Sequence, residues 1–219
     1  MGIIDMHKLQ LASVLAAGIL SAAAASADSV TLNFNGVTNY SSVADFYNGG
    51  TDTAGASGTN YNASFTGGVI ALSNDGLANT ANGNYFNNAP TSTVIFANAA
   101  DTAILNVNSG FNSSFQVTYS STTAPTTLNV WSGLNDTGTL LGTLTLAANS
   151  NACGTTAACT WTTQTLNFNG EAQSVDFSSN AGNALFTNIS YAVPLPASGL
   201  LMAFGLGGLA LFGTRRRAA

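Results

Sequence analysis

Between Asp28 and Ala192 the apolar residues fall at every second position in short bursts, and no stretch of comparable length shows them at helical spacing. The bursts are VTLNF (30–34), TVIF (93–96), AILNV (103–107), SFQVTY (114–119), TLNVW (127–131), TLLGTLTL (139–146), TQTLNF (163–168), QSVDF (173–177) and ALFTNISY (184–191). Successive side chains of a strand point to opposite faces, so period two over four to eight residues predicts strands with one buried face. Gly and Asn crowd the intervals, where they supply turns. The expectation is an all-β fold over residues 28–192, an antiparallel β-sandwich of jelly-roll type.

Charge then removes whole classes of function. The only cations are Lys8, Arg215, Arg216 and Arg217, and the only histidine is His7, against nine carboxylates and a net charge of -5. A surface without cations repels a phosphate backbone, which excludes nucleic acid as a partner. A serine or cysteine nucleophile needs a base near neutral pH, and residues 27–214 offer neither His nor Lys. Carboxylate chemistry is what remains, so a carboxylate-dependent glycoside hydrolase is the one catalytic alternative to a non-enzymatic protein. Asp136-Thr137-Gly138 spells an aspartic-protease triplet, but its flanks read as a hairpin turn. At 46% hydrophobic residues the chain has the material for a core and does not read as disordered.

Both ends read as addresses. Residues 1–27 combine a short polar start, an apolar run and small residues at Ala25 and Ala27, the pattern of a secretory signal peptide cut after Ala27. At the other end, Ala197–Thr214 is uncharged and mostly apolar, long enough to cross most of a bilayer. Arg215, Arg216 and Arg217 follow at once and would hold that end on the cytoplasmic side. Before the span, Val193-Pro194-Leu195-Pro196 is barred from helix by its prolines and should present itself as an extended peptide. Proline motif, apolar span and arginines in that order, over residues 193–219, resemble the PEP-CTERM sorting signal, with Leu195 where the usual Glu stands. The resemblance implies an inner-membrane precursor and an exosortase-like processing enzyme acting near the proline motif. It further implies release to the cell surface, where exopolysaccharide is the neighbouring material. Two alternatives stay open: Leu195–Gly199 differs from a sortase LPxTG signal by Ser198 in place of Thr, and an uncleaved single-pass anchor fits the same span.

Within the domain the pentapeptide LNFNG occurs at 32–36 and again at 166–170, each followed by a Ser-Val-Asp-Phe-like stretch. Asn-Gly supplies the backbone of a tight turn, so each copy is expected to make a strand, a turn and a strand. Residues 47–90 are rich in loop formers; Tyr47–Gly50 and Gly55–Tyr61 resemble a YNGG and Gly-x-x-Gly-x-Asn-Tyr pattern recurring among secreted PEP-CTERM proteins, a likeness that brings no activity with it. Tyr47, Tyr61, Tyr85 and Phe86 could stack on a sugar ring there, or could cap the core instead. No cofactor is expected, but Asp45, Asp52 and Asp75 lie on the same loops as candidate ligands for a structural calcium ion, which oxygen-only loop ligands suit. Cys153 and Cys159, in an exported chain with no other cysteine, are expected to pair as a disulfide. The function expected is that of a non-enzymatic surface or matrix protein associated with exopolysaccharide, the alternative being a glycan-binding module.

Overall fold

The computed structural model describes residues 28–73, 86–98, 101–121, 124–149, 158–180 and 182–194. Outside them lie Ala25 and Ala27 of the expected signal peptide, Asp75, Tyr85, Cys153, and the expected sorting signal from Leu195 through Arg215, Arg216 and Arg217. Among the described residues no helix is long and apolar enough to cross a membrane.

The described residues form nine strands: β1 (Asp28–Leu32), β2 (Ala63–Phe65), β3 (Val69–Ser73), β4 (Thr93–Ala97), β5 (Ile104–Ser121), β6 (Thr126–Trp131), β7 (Leu140–Leu146), β8 (Thr162–Asp176) and β9 (Ala184–Val193). They form one sheet in the order β3-β4-β9-β5-β8-β6-β7, with β1 also beside β9 and β2 also beside β5. Every strand pairing is antiparallel, as expected. β9 gives one edge to β5 and shares the other between β4, at Leu185 and Phe186, and β1, at Ile189–Val193. Asp28 thus pairs with Val193. Pro194, which has no N–H to offer a ladder, comes directly after β9 ends.

The alternation seen in the sequence is the alternation of burial. Val30 and Leu32 of β1, Leu128 and Val130 of β6, and Leu144 and Leu146 of β7 all face inward. So do Phe111, Phe115 and Phe186, which with Phe177 make a run of rings whose neighbouring centroids are 6.2, 6.4 and 5.1 Å apart. A smaller cluster, Leu72, Phe86, Val94, Ala158 and Leu185, lies apart from this core. Phe86 is fully buried there, edge-on to Trp161, whose indole N–H donates to the Asn87 carbonyl at 2.8 Å. Cys159 is disulfide-bonded, and Cys153, the one other cysteine of the sequence, lies outside the described residues.

Two expectations change. The bursts at 103–107 and 114–119 are one strand, β5, and those at 163–168 and 173–177 are one strand, β8. Bulges make this possible: the β5–β8 register shifts between Asn106 and Phe111 and again between Asn112 and Ser114. Such insertions bend a long strand without ending it. Consequently the second LNFNG copy is no hairpin. Its Gly170 takes the left-handed backbone (φ 100) that Gly36 takes in the first copy (φ 92), but it does so within β8, opposite the β5 bulge that holds Ser113 at φ 70. The first copy does end its strand at Leu32 and turns through Asn35 and Gly36.

Candidate functional site

β1, the turn after it and the loop between Phe46 and Tyr61 enclose a cleft of about 240 Å3. Hydrogen bonds and one close packing contact shape it. Asp52, 3% exposed, accepts the backbone N–H groups of Thr38 (2.7 Å), Ala54 (2.9 Å) and Ala56 (2.9 Å), tying the loop to the turn. Gly58 lies against the Phe46 ring so closely that a Cβ there would sit 2.2 Å from Cε1. The Tyr61 N–H donates to the Tyr47 carbonyl at 2.8 Å, and the Gly58 N–H to that of Phe46 at 3.1 Å.

Tyr47 lines the floor of this cleft and is almost wholly buried. It is 4% exposed, its ring is edge-on to Phe34 at 5.9 Å and to Phe46 at 4.8 Å, and its hydroxyl accepts the Phe34 N–H at 2.8 Å. Phe34 has φ 62, a backbone region a bulky residue rarely enters, so its N–H is aimed by strain that the surrounding contacts must hold. Burial pushes the Tyr47 phenol up to about 12, against the lowering effect of the Phe34 N–H. Tyr61 is the half-buried ring, tilted 33° to Tyr47 with centroids 6.0 Å apart. Around it stand Thr31, Asn33, Asn35, Ser57 and Thr59, all exposed and all neutral. Tyr85 lies outside the described residues, and Phe86 belongs to the second cluster.

One contributor escaped the sequence. Tyr191 of β9 is 2% exposed; burial raises its phenol, and proximity to Tyr61 and then Tyr47 adds to that. Its hydroxyl is buried and has no hydrogen-bond partner among the described residues. Alternation along ALFTNISY puts residue 191 inward, but nothing local ties it to tyrosines far back in the chain.

The described calcium candidates, Asp45 and Asp52, are engaged differently. Asp45 is exposed and its Oδ1 accepts the Asn48 amide at 3.2 Å. Asp52 has burial opposing its ionised form, but the N–H groups of Thr38, Ala56 and Ala54 win and hold its carboxyl below the usual range. These three bonds make the Asp52 carboxylate a pin for the loop; Asp75 lies outside the described residues. Among the described residues no three His, Cys, Asp or Glu side chains come together. Asp136 is pushed up to about 6 by burial and by the Asp176 carboxylate. It sits in the β6–β7 connection, with Asn135, Asp136 and Gly138 all at positive φ and the Gly133 N–H donating to the Thr137 carbonyl, so its triplet is the hairpin turn expected.

No family model matches the chain, and no curated protein matches it. Among solved structures, a mutant of a family 29 carbohydrate-binding module aligns at TM-score 0.40 and 12% identity, over 76% of this chain and 92% of that one. A carbohydrate-binding module from Cellvibrio mixtus lichenase 5A in complex with cellotriose aligns at TM-score 0.31 and 16% identity, over 51% and 84%. Arthrobacter globiformis isomalto-dextranase complexed with panose aligns at TM-score 0.37 and 10% identity, over 76% of this chain and 32% of its own length. At these scores the likeness carries no information about ligand.

Proposed function

We propose that the domain is a non-enzymatic binder of neutral glycan, exported and sorted through its two ends to the cell surface or matrix, where exopolysaccharide is at hand. The observation that carries this is the cleft: one partly exposed ring, Tyr61, set among neutral amides and hydroxyls. A sugar presents an apolar face to a ring and hydroxyls that both donate and accept, and Asn side chains answer both. The described chain has no basic side chain to pair with an acidic sugar. A single ring contributes about 1 kcal/mol, so one site is weak and useful chiefly when many copies share a matrix. An all-antiparallel sheet whose strands share one aromatic-rich core supports a sandwich of jelly-roll type. The terminal pattern, with Pro194 directly after the last strand, supports processing by an exosortase-like enzyme near Val193–Pro196.

The test is titration of the full chain, in a zwitterionic detergent, with neutral fragments of the producing cells' exopolysaccharide. Binding should persist in high salt, because no ion pair is involved, and should be weakened in Tyr61→Ala, which removes the ring of this cleft. Binding that collapses in salt, or that survives Tyr61→Ala unchanged, overturns the proposal. Sorting has its own test: changing Pro194 and Pro196 to Ala should leave the precursor anchored and uncut, and unaltered processing would remove the exosortase reading.

A further inference from the structure

The two LNFNG copies fold differently, yet each borders a cleft. The first supplies Asn33, Asn35 and Gly36 to the cleft of Tyr61. The second supplies Phe168, Asn169 and Gly170 to a cleft of about 420 Å3 at the β5–β8 bulge, completed by Asn112, Ser113 and Glu171. The copies differ at their leucines, Leu32 being fully buried and Leu166 half-buried, and match at the four residues that follow. Phe34 and Phe168 turn inward, Asn33, Asn35, Asn167 and Asn169 are exposed, and both glycines are left-handed. In the second cleft Ser113 has φ 70, and Glu171 lies over Gly110, where a Cβ would come within 2.5 Å of its Oε1. Bulges and strained residues of this kind re-aim side chains where a ligand is met.

A row of neutral, cross-strand paired side chains runs from the first cleft toward the second. Thr31, which borders the first, bonds Ser190 across the β1–β9 ladder at 2.8 Å. Ser190 is paired with Gln116 of β5, whose amide donates to Thr165 of β8 at 3.0 Å. Two residues further along β9, Ala192 pairs with both Ser29 and Asn112, the latter bordering the second cleft. Two strand spacings across and two residues along amount to about 12 Å between Thr31 and Asn112.

We propose that the cleft at the second copy is a second subsite for the same neutral glycan, and that one extended chain passes between the clefts over the Thr31–Ser190–Gln116 row. The inference rests on the glycan-binding reading above. Amides at Asn112 and Asn169 offer donors and acceptors, and the Glu171 carboxylate accepts from paired hydroxyls while repelling an acidic sugar. Occupying one cleft raises the effective concentration of the same chain at the other, so affinity must climb with chain length.

Size-fractionated neutral exopolysaccharide fragments, titrated calorimetrically into the full chain in zwitterionic detergent, test this directly. Short fragments should bind with a stoichiometry of two, falling to one in Tyr61→Ala and to one in the double variant Asn112→Ala, Asn169→Ala. Long fragments should bind one to one and at least about tenfold more tightly than short ones, an advantage that either variant removes. Glu171→Gln, at an exposed position, should weaken only the binding that survives Tyr61→Ala. A stoichiometry of one for short fragments, with the double variant unchanged, overturns the second subsite and leaves the glycan-binding reading standing. Absence of binding by the unaltered chain overturns both.

Discussion

Replacing Tyr47 by Phe removes one oxygen and leaves the ring, so it isolates the bond that the Tyr47 hydroxyl accepts from the Phe34 N–H at 2.8 Å. That N–H is buried and belongs to a residue at φ 62, so it has no ready route to another acceptor. An orphaned buried donor costs about 1–3 kcal/mol. In a domain of this size each kcal/mol lowers Tm by roughly 2–4 °C, so the variant should melt about 2–12 °C lower at pH 7. Alkaline pH supplies an independent signature. The folded phenol titrates near 12 against an ordinary 10, so between those values the unfolded chain has lost a proton the native state keeps. Stability present below pH 10 is therefore lost as pH rises toward 12, by roughly 2–3 kcal/mol for a shift of that size. The Tyr47→Phe protein has no phenol at this position and escapes that loss, while Tyr191 keeps its alkaline dependence in both proteins. The wild-type advantage at pH 7 should shrink or vanish by pH 12. Urea unfolding followed by the fluorescence of Trp131 and Trp161, at intervals from pH 7 to pH 12, measures both effects. Equal stability at pH 7 would refute the hydrogen bond, and a gap constant from pH 9 to 12 would refute burial of a neutral phenol.

The loop carries its own tests. Gly58→Ala forces a Cβ to 2.2 Å from the Phe46 ring and should cost about 1–3 kcal/mol with weaker glycan binding, whereas Gly67→Ala, with open space around its Cβ, should stay within about 0.5 kcal/mol in the same urea assay. Asp52→Asn should destabilise by about 1–2 kcal/mol near neutral pH through loss of charge-assisted bonds to three N–H groups. Because the folded carboxyl titrates below its unfolded value, that deficit is present above about pH 4 and should disappear as pH falls through the folded value, which acid titration of both proteins would show. Cys153→Ser should leave one titratable thiol where the unaltered protein has none, and should lower stability by about 2 kcal/mol, as closure of so short a loop implies.

Strands and their inward faces were legible because alternation is a local property: Leu128 and Val130, or Leu144 and Leu146, face the core wherever their neighbours lie. The absence of cations from the domain was equally plain, and it alone sets the sign of any ligand. Even the left-handed glycines of LNFNG follow from sequence, since Gly accepts that backbone in either copy. What those glycines do was decided by the partner strand. Gly36 turns the chain because β1 ends there, whereas Gly170 sits in a bulge because β5 continues opposite it. β2 and β3 were hidden among Gly and Asn, since their pairings with β5 and β4 join segments far apart in the chain. Tyr47 and Tyr61 look alike in sequence; only the Phe34 N–H, brought close by the folded loop, draws one hydroxyl inward and leaves the other ring at the cleft. Periodicity is written residue by residue, but burial is a sum over neighbours that the chain acquires only when distant segments meet.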